Sequence, residues 1–268
     1  MTGVAQKSEE LAREPASGYR PLWHSEPQRV VGCISEPRHG SPFINDQKYY
    51  ESAIRHVRYD LDTFNIVLRD AHRLYESRQM ATVIFSINFK SFCAPEFNKE
   101  YLLALRQTPA NLLPYLLPRF VRIPPGAPGT LIATNAQALS SIFKKVALQA
   151  PLEGDLRRFE STACTLLATS VREAQRVARL PVVNQQSVTP LLTSFVQIAK
   201  GMGYNALITG VDSPEAYGAA LQAKADFISG AMVGPLAQLP GTQSHLTADE
   251  IRATPRSSAP PSPDLAAI

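Results

Sequence analysis

The feature that most narrows the fold is a repeated switch of apolar period along residues 19–230. Short runs of strand type occur at 19–23 (YRPLW), 29–34 (RVVGCI), 82–87 (TVIFSI), 119–123 (RFVRI), 145–149 (KVALQ), 164–169 (CTLLAT), 205–209 (NALIT) and 227–230 (FISG). From the second run onward, helix-period stretches separate them. In the longest, 47–79, Ile54, Val57, Leu61, Phe64, Leu68, Ala71 and Leu74 recur every three or four residues with no Gly or Pro to interrupt, which makes one helix face apolar. Further helices are expected at 98–117, 130–143, 171–180, 190–203 and 213–225. The last two open at Thr189-Pro190 and Ser213-Pro214-Glu215, a capping hydroxyl followed by a proline whose missing N–H costs nothing in a first turn. Two strands in succession form a hairpin, whereas strands separated by helices return parallel. The chain therefore reads as α/β, a mostly parallel sheet covered by helices. Eight strands within 268 residues fit a closed TIM-like (β/α) barrel. An open doubly wound sheet has the same periodicity and stands as the alternative.

The two ends fall outside this pattern. Residues 1–18 lack sustained apolar periodicity and read as a flexible N-terminal tail. Residues 241–268, with four prolines among small and polar residues, read as a disordered C-terminal tail, which leaves 19–240 as the core domain. No apolar stretch approaches the ~20 residues of a membrane span, and the opening MTGVAQKSEELARE is polar where a secretory signal is apolar. A cytoplasmic protein without a membrane segment is expected. Cys33, Cys93 and Cys164 are odd in number and far apart, which suits reduced thiols better than a disulfide framework or a zinc site. The net charge of +4 is uneven: residues 81–200 carry 13 basic and 6 acidic groups (+7), and 201–268 carry 3 and 6 (−3).

Most catalytic constellations are missing. His24, His39, His56, His72 and His245 form no H-E-x-x-H pair, and neither a G-x-S-x-G elbow nor a phosphate loop occurs. Gly201-Met202-Gly203 follows a helix instead of opening one, so it reads as a C-cap. Asp60 and Asp62, two apart on a helix, point to different faces and do not make a shared metal site. Arg172, Arg176 and Arg179 make a basic stripe on one helix, but the aromatics of a single-strand nucleic-acid site do not interleave with them. No nucleic-acid polymer is expected as a partner.

Three stretches, in order, resemble EAL domains, the barrel-folded phosphodiesterases of bacterial cyclic di-GMP signalling. YRPLWHSEPQRVVGCISEPRHG (19–40) is similar to the family's Y-Q-P-I strand, turn, R-I-V-G strand and E-A-L-L-R signature. SINFKSF (86–92) matches the V-N-L-S strand end, and NALITGVDSPEAYGAALQAKADFISGAMVGPLAQLP (205–240) is similar to the segment running from A-E-G-V-E to Q-G-Y and a final P-L-P. The resemblance implies an EAL-type TIM-like (β/α) barrel with an N-terminal β-hairpin and one antiparallel strand. It also implies two divalent cations, held by carboxylates, that activate a water for in-line attack. Carried over position by position, those carboxylates are gone. The Glu of E-A-L falls on Ile34, with Ser35 and Glu36 following, and the Glu ending the strand after Asn88 falls on Arg122. The paired aspartates of D-D-F-G fall on Gln149 and Ala150, and the lysine strand has become CTLLATSV. The first Glu of E-G-V-E falls on Thr209, the second is the shorter Asp212, and the Gln of Q-G-Y falls on Ser229. Asn88 alone is unchanged.

The resemblance thus implies an inactive phosphodiesterase homologue with no cofactor and no metal ligand set. Two readings stay open, with an unrelated barrel enzyme a distant third. In the first, the domain is a non-enzymatic regulatory module that works through an unidentified protein partner or as a homodimer. In the second it is a metal-independent cyclic di-GMP receptor, for which Arg38, matching the Arg of E-A-L-L-R, Asn88 and Asp212 are the candidate binding residues, with Arg20 and Arg122 near the same mouth. A bland alternative is that Arg122 and Glu36 merely neutralise each other.

Overall fold

The computed structural model describes residues 17–37, 53–79, 81–241 and 244–254. Strands β1 (Ser17–His24), β2 (Arg29–Pro37), β3 (Thr82–Asn88), β4 (Leu116–Val121), β5 (Ala147–Gln149), β6 (Leu166–Ser170), β7 (Asn205–Thr209) and β8 (Phe227–Ser229) neighbour one another in chain order. β8 pairs back onto β1, with Leu22 opposite Ser229, so the sheet is a closed barrel and the open alternative is excluded. β2 to β8 run parallel, and β1 is antiparallel to both its neighbours. All eight strands fall on the expected segments.

The helices are α1 (Ala53–Glu76), α2 (Phe89–Cys93), α3 (Pro95–Arg106), α4 (Gly129–Ser140), α5 (Val171–Val177), α6 (Gln185–Gly201), α7 (Pro214–Gln222) and α8 (Ala248–Ala253). Strand alternation divides the apolar residues into two layers. Leu22, Ile34, Ile84, Leu117, Ala147, Leu166, Ala168 and Leu207 fill the barrel, while the opposite strand faces pack on the helices. The outer layer is rich in aromatics: Phe85 lies 5.0 Å from Phe64 of α1 and 5.7 Å from Phe143, and Phe120 lies 4.9 Å from Phe92. Within β2 a bulge at Val31 shifts the register between Leu22 and Trp23. Beyond it, Cys33 turns to the helices and Ile34 into the barrel.

Four expectations are corrected. The helix expected over 98–117 ends at Arg106, because Pro109 and Pro114 cannot continue it, and Leu113–Tyr115 forms only a 3₁₀ turn. The helix expected to start at Pro190 starts at Gln185, where the Asn184 side chain accepts from Gln186 and Ser187 N–H. Pro190 lies inside that helix, and the Thr189 hydroxyl donates to the Gln185 carbonyl. The third concerns the tail from 241. Ser244–His245 forms a ninth strand, β9, on the part of β2 (Arg29–Val30) that β3 leaves unpaired, and α8 follows with a complete Thr247–Glu250 capping box. Ile251 is fully buried and Trp23 Nε1 donates to the Leu246 carbonyl at 2.7 Å. Composition hides this segment because its anchors are few and single: Ile251, the Thr247–Glu250 cap, and the bonds to Trp23, Gln28 and the start of β2. Ser17 and Gly18, expected in the N-terminal tail, open β1, where Ser17 pairs with Pro37 and Gly18 with Glu36; residues 1–16, 242–243 and 255–268 of the expected tails lie outside the described residues, as do 47–52 of the long helical stretch. No helix among the described residues is long and apolar enough to cross a membrane.

One buried carboxylate fastens α1 to the end of β3. Asp60 Oδ2 accepts from the Asn88 N–H and the Tyr101 hydroxyl, both at 2.7 Å. Burial pushes the Asp60 carboxyl up to about 7, against the opposing pull of those two hydrogen bonds and of Arg122.

Two outcomes are expected. Ile251→Ala should cost about 2–5 kcal/mol and lower the melting temperature by roughly 2–4 °C per kcal/mol, and ending the chain at 241 should lower it at least as far. An unchanged melt would show that 244–254 does not hold the barrel. The second outcome concerns Asp60, which binds its proton more tightly folded than unfolded. Its contribution to stability is therefore full below about pH 4 and is lost as pH rises to about 7, at up to ~1.4 kcal/mol per pH unit. Urea denaturation at pH 5 and pH 8 should show Asp60→Asn losing less stability between the two than the parent chain.

Candidate functional site

The barrel mouth at the carboxyl ends of β2–β8 is where residues above the apolar filling face the axis. Because β1 runs the other way, it brings its N-terminal half to this end, with Gly18 opposite Glu36 and Arg20 opposite Ile34. The alternation that sends Leu22, Ile34, Ile84 and Leu117 inward puts Arg20, Glu36, Ser86 and Arg119 one step higher. These four form a charged cluster. Arg20 Nε stands 3.4 Å from Glu36 Oε2, and its Nη1 donates to the Gly234 carbonyl at 3.3 Å. Arg119 Nη2 donates to Ser86 Oγ at 2.9 Å. Burial pushes the Arg119 guanidinium down to about 10, and Glu36 pulls it back up. The Glu36 carboxyl is raised by burial and by Asp212, while Arg20 and Arg119 lower it. Arg119 Nε is buried with no hydrogen-bond acceptor.

Arg122 is not the buried arginine of β4. The strand ends at Val121, and Arg122 takes a left-handed φ of 58° and lies exposed. Glu36 is accordingly balanced by Arg20 and Arg119 instead of by Arg122. The signal that marks Arg119 is its distance in sequence from the inward Leu117, visible only once the strand is known to begin before Pro118.

The other expected residues are mostly committed to the fold. Ile34 is 0% exposed inside the barrel, and Ala150 packs in the outer layer. Asn88 is buried, and its Oδ1 accepts from Ser91 N–H at 3.2 Å as the N-cap of α2. The Thr209 hydroxyl donates to the Thr169 carbonyl, and the Ser229 hydroxyl to the Pro21 carbonyl. Asp212 is exposed, and its Oδ1 accepts from Ala231 N–H at 2.7 Å. That loop is held by Gly230, where a Cβ would collide with the Val211 backbone. Gln149 is half-buried at the end of β5. Arg38 lies outside the described residues. Of the basic stripe on α5, Arg176 is ion-paired with Glu173 and Glu153.

A hard divalent cation takes six or more oxygens, largely carboxylate. Among the described residues no group of three His, Cys, Asp or Glu is placed to hold one, and of the two mouth carboxylates Glu36 is engaged by Arg20. The described mouth residues do not fit a divalent pair; they fit anionic groups better.

No protein-family model matches the chain, and no curated protein matches it. Solved structures do. The PaMucR phosphodiesterase in its c-di-GMP complex superposes with a TM-score of 0.68 at 12% identity, over 92% of this chain and 98% of that one. The EAL domain of Xanthomonas citri FimX, in complex with c-diGMP, gives 0.62 at 12% identity over 87% and 91%. The Bacillus subtilis YkuI protein, which has an EAL domain and was solved with c-di-GMP and calcium, gives 0.65 at 13% identity, over 89% of this chain and 59% of that one. At these identities the likeness establishes the architecture: the chain has the EAL-type TIM-like barrel fold.

Proposed function

We propose that this chain is a catalytically inactive EAL-type barrel acting as a non-enzymatic regulatory module, through protein–protein contact, in bacterial regulation related to cyclic di-GMP. The observation that carries the reading is the buried Arg119 guanidinium, on the strand for which the resemblance implies a metal-binding carboxylate. Two-metal hydrolysis needs cations to polarise the phosphodiester and generate the nucleophile. A fixed positive charge at that depth opposes cation entry, and Ile34 offers no donor where the E-A-L glutamate would stand. The solved neighbours in complex with c-di-GMP support the signalling context.

A second reading, the metal-independent receptor, is favoured by the unpartnered Arg119 Nε, which an anionic oxygen would satisfy with Arg20 close by.

No turnover of cyclic di-GMP or its linear dinucleotide is expected in millimolar Mn²⁺ or Mg²⁺. Ile34→Glu alone should not restore it, because Arg20 and Arg119 remain. Metal-dependent hydrolysis by the parent chain would overturn the proposal.

Calorimetric titration with cyclic di-GMP, with and without Mg²⁺, should show no saturable binding at tens of micromolar. Saturable magnesium-independent binding, weakened roughly 10- to 100-fold by Arg38→Ala or Arg119→Gln, would make the protein a receptor instead.

A further inference from the structure

Beside the mouth, a shallow, open groove of about 440 Å³ lies between α2 and the connection from β4 to α4. Its walls are apolar: Phe89 and Cys93 on one side, Pro124, Pro128 and Leu131 on the other. Leu131 is 40% exposed, a large aliphatic group left open to solvent. The prolines fix φ along one wall, so little ordering entropy is lost when something packs there.

The groove also has an electrostatic sign. Lys90 is the one charged residue of its lining, is exposed, and sits in no ion pair among the described residues. Leu131 belongs to the first turn of α4, a 12-residue helix whose N-cap, Pro128, has no side-chain acceptor to satisfy the first N–H groups. An uncapped helix start adds partial positive charge at the same end. An apolar floor between a lysine and a positive helix end is complementary to a short segment with a large apolar side chain flanked by carboxylates.

We infer that this groove docks an acidic peptide segment of a partner protein, with an apolar side chain seated against Leu131 and Pro128 and a carboxylate meeting Lys90. The inference rests on the reading of the barrel as an interaction module and names the surface and the partner's chemistry.

The test is an NMR titration of the ¹⁵N-labelled full chain with acetyl-EELFDE-amide and its charge-reversed counterpart acetyl-KKLFKK-amide. The acidic peptide should saturate at submillimolar concentration and shift the amides of Lys90, Cys93, Gly126 and Ala127, and the basic one should bind at least tenfold more weakly. Lys90→Glu and Leu131→Asp, both at exposed positions, should each weaken the acidic peptide at least tenfold with an unchanged melt. Equal affinity for the two peptides, shifts confined to another face, no binding at millimolar peptide, or indifference to both substitutions would overturn the groove assignment. Cyclic di-GMP hydrolysis by the same preparation would overturn the underlying reading separately, so the two failures are distinguishable.

Discussion

Closure of the barrel rests on β1. A strand that enters through a hairpin lies antiparallel to its neighbour, and β1 is antiparallel on both edges, to β2 and to β8. Its alternation carries the rest of the architecture. Leu22 joins the interior filling and Arg20 the mouth, while Tyr19 and Trp23 face outward. The Tyr19 hydroxyl donates to Asp70 of α1 at 2.7 Å, and Trp23 reaches the Leu246 carbonyl ahead of α8. Ser229 of β8 donates to the Pro21 carbonyl, and Tyr19 exchanges backbone hydrogen bonds with Ala237. The reversed direction has a chemical consequence: the mouth receives Arg20 from the start of a strand, whereas β2 to β8 present their carboxyl ends there.

Much of that framework is legible in the amino-acid order itself. All eight barrel strands show in the periodicity because a strand buried on both faces needs an apolar run, and α1 shows because one face of it is continuously apolar. The features that periodicity does not reveal depend on single residues. The bulge at Val31 changes which alternate residues of β2 enter the barrel, and its one mark in RVVGCI is Gly32, where a Cβ would collide with the Thr82 carbonyl. Pro118 argues against a strand before Arg119, since a proline is out of place in the middle of a sheet. The barrel accommodates it because the pairing of β4 with β5 begins only at Arg119. The strand expected over 119–123 begins at Leu116 and ends at Val121, so the residue matched to its end, Arg122, lies beyond the strand and Arg119 takes the inward position. Asn184 and Thr189-Pro190 compete as helix starts because both are good caps, and only packing decides between them.

The mouth is dominated by one electrostatic fact, a carboxylate between two arginines. Buried ion groups recover only part of their lost hydration, and a guanidinium with an unsatisfied N–H recovers less. Glu36 is therefore needed to keep Arg20 and Arg119 tolerable inside the barrel, and the arginines oppose the rise that burial imposes on the Glu36 carboxyl. Removing Glu36 leaves two guanidinium charges uncompensated, whereas removing either arginine leaves the other still facing Glu36. The arrangement is self-consistent as a structural core, and it turns the region's polarity from one suited to cations to one suited to anions.

This distinction separates the two surfaces of the protein that face solvent near the carboxyl ends of the strands. In the mouth, Asn88, Thr209, Asp212 and Ser229 already spend hydrogen-bonding groups on α2, β6, the β8 loop and β1, so a ligand there must compete with the fold for them. In the neighbouring groove the opposite holds. Lys90 and the start of α4 are not committed to side-chain partners, and Leu131 is open. Binding free energy comes from groups whose interactions improve on association, and groups already satisfied inside the fold have little to gain. The same strand ends that build a mouth whose polar groups are largely spent on the fold thus leave an apolar and cationic rim beside it, and that rim is the part of the barrel whose interactions a partner can complete.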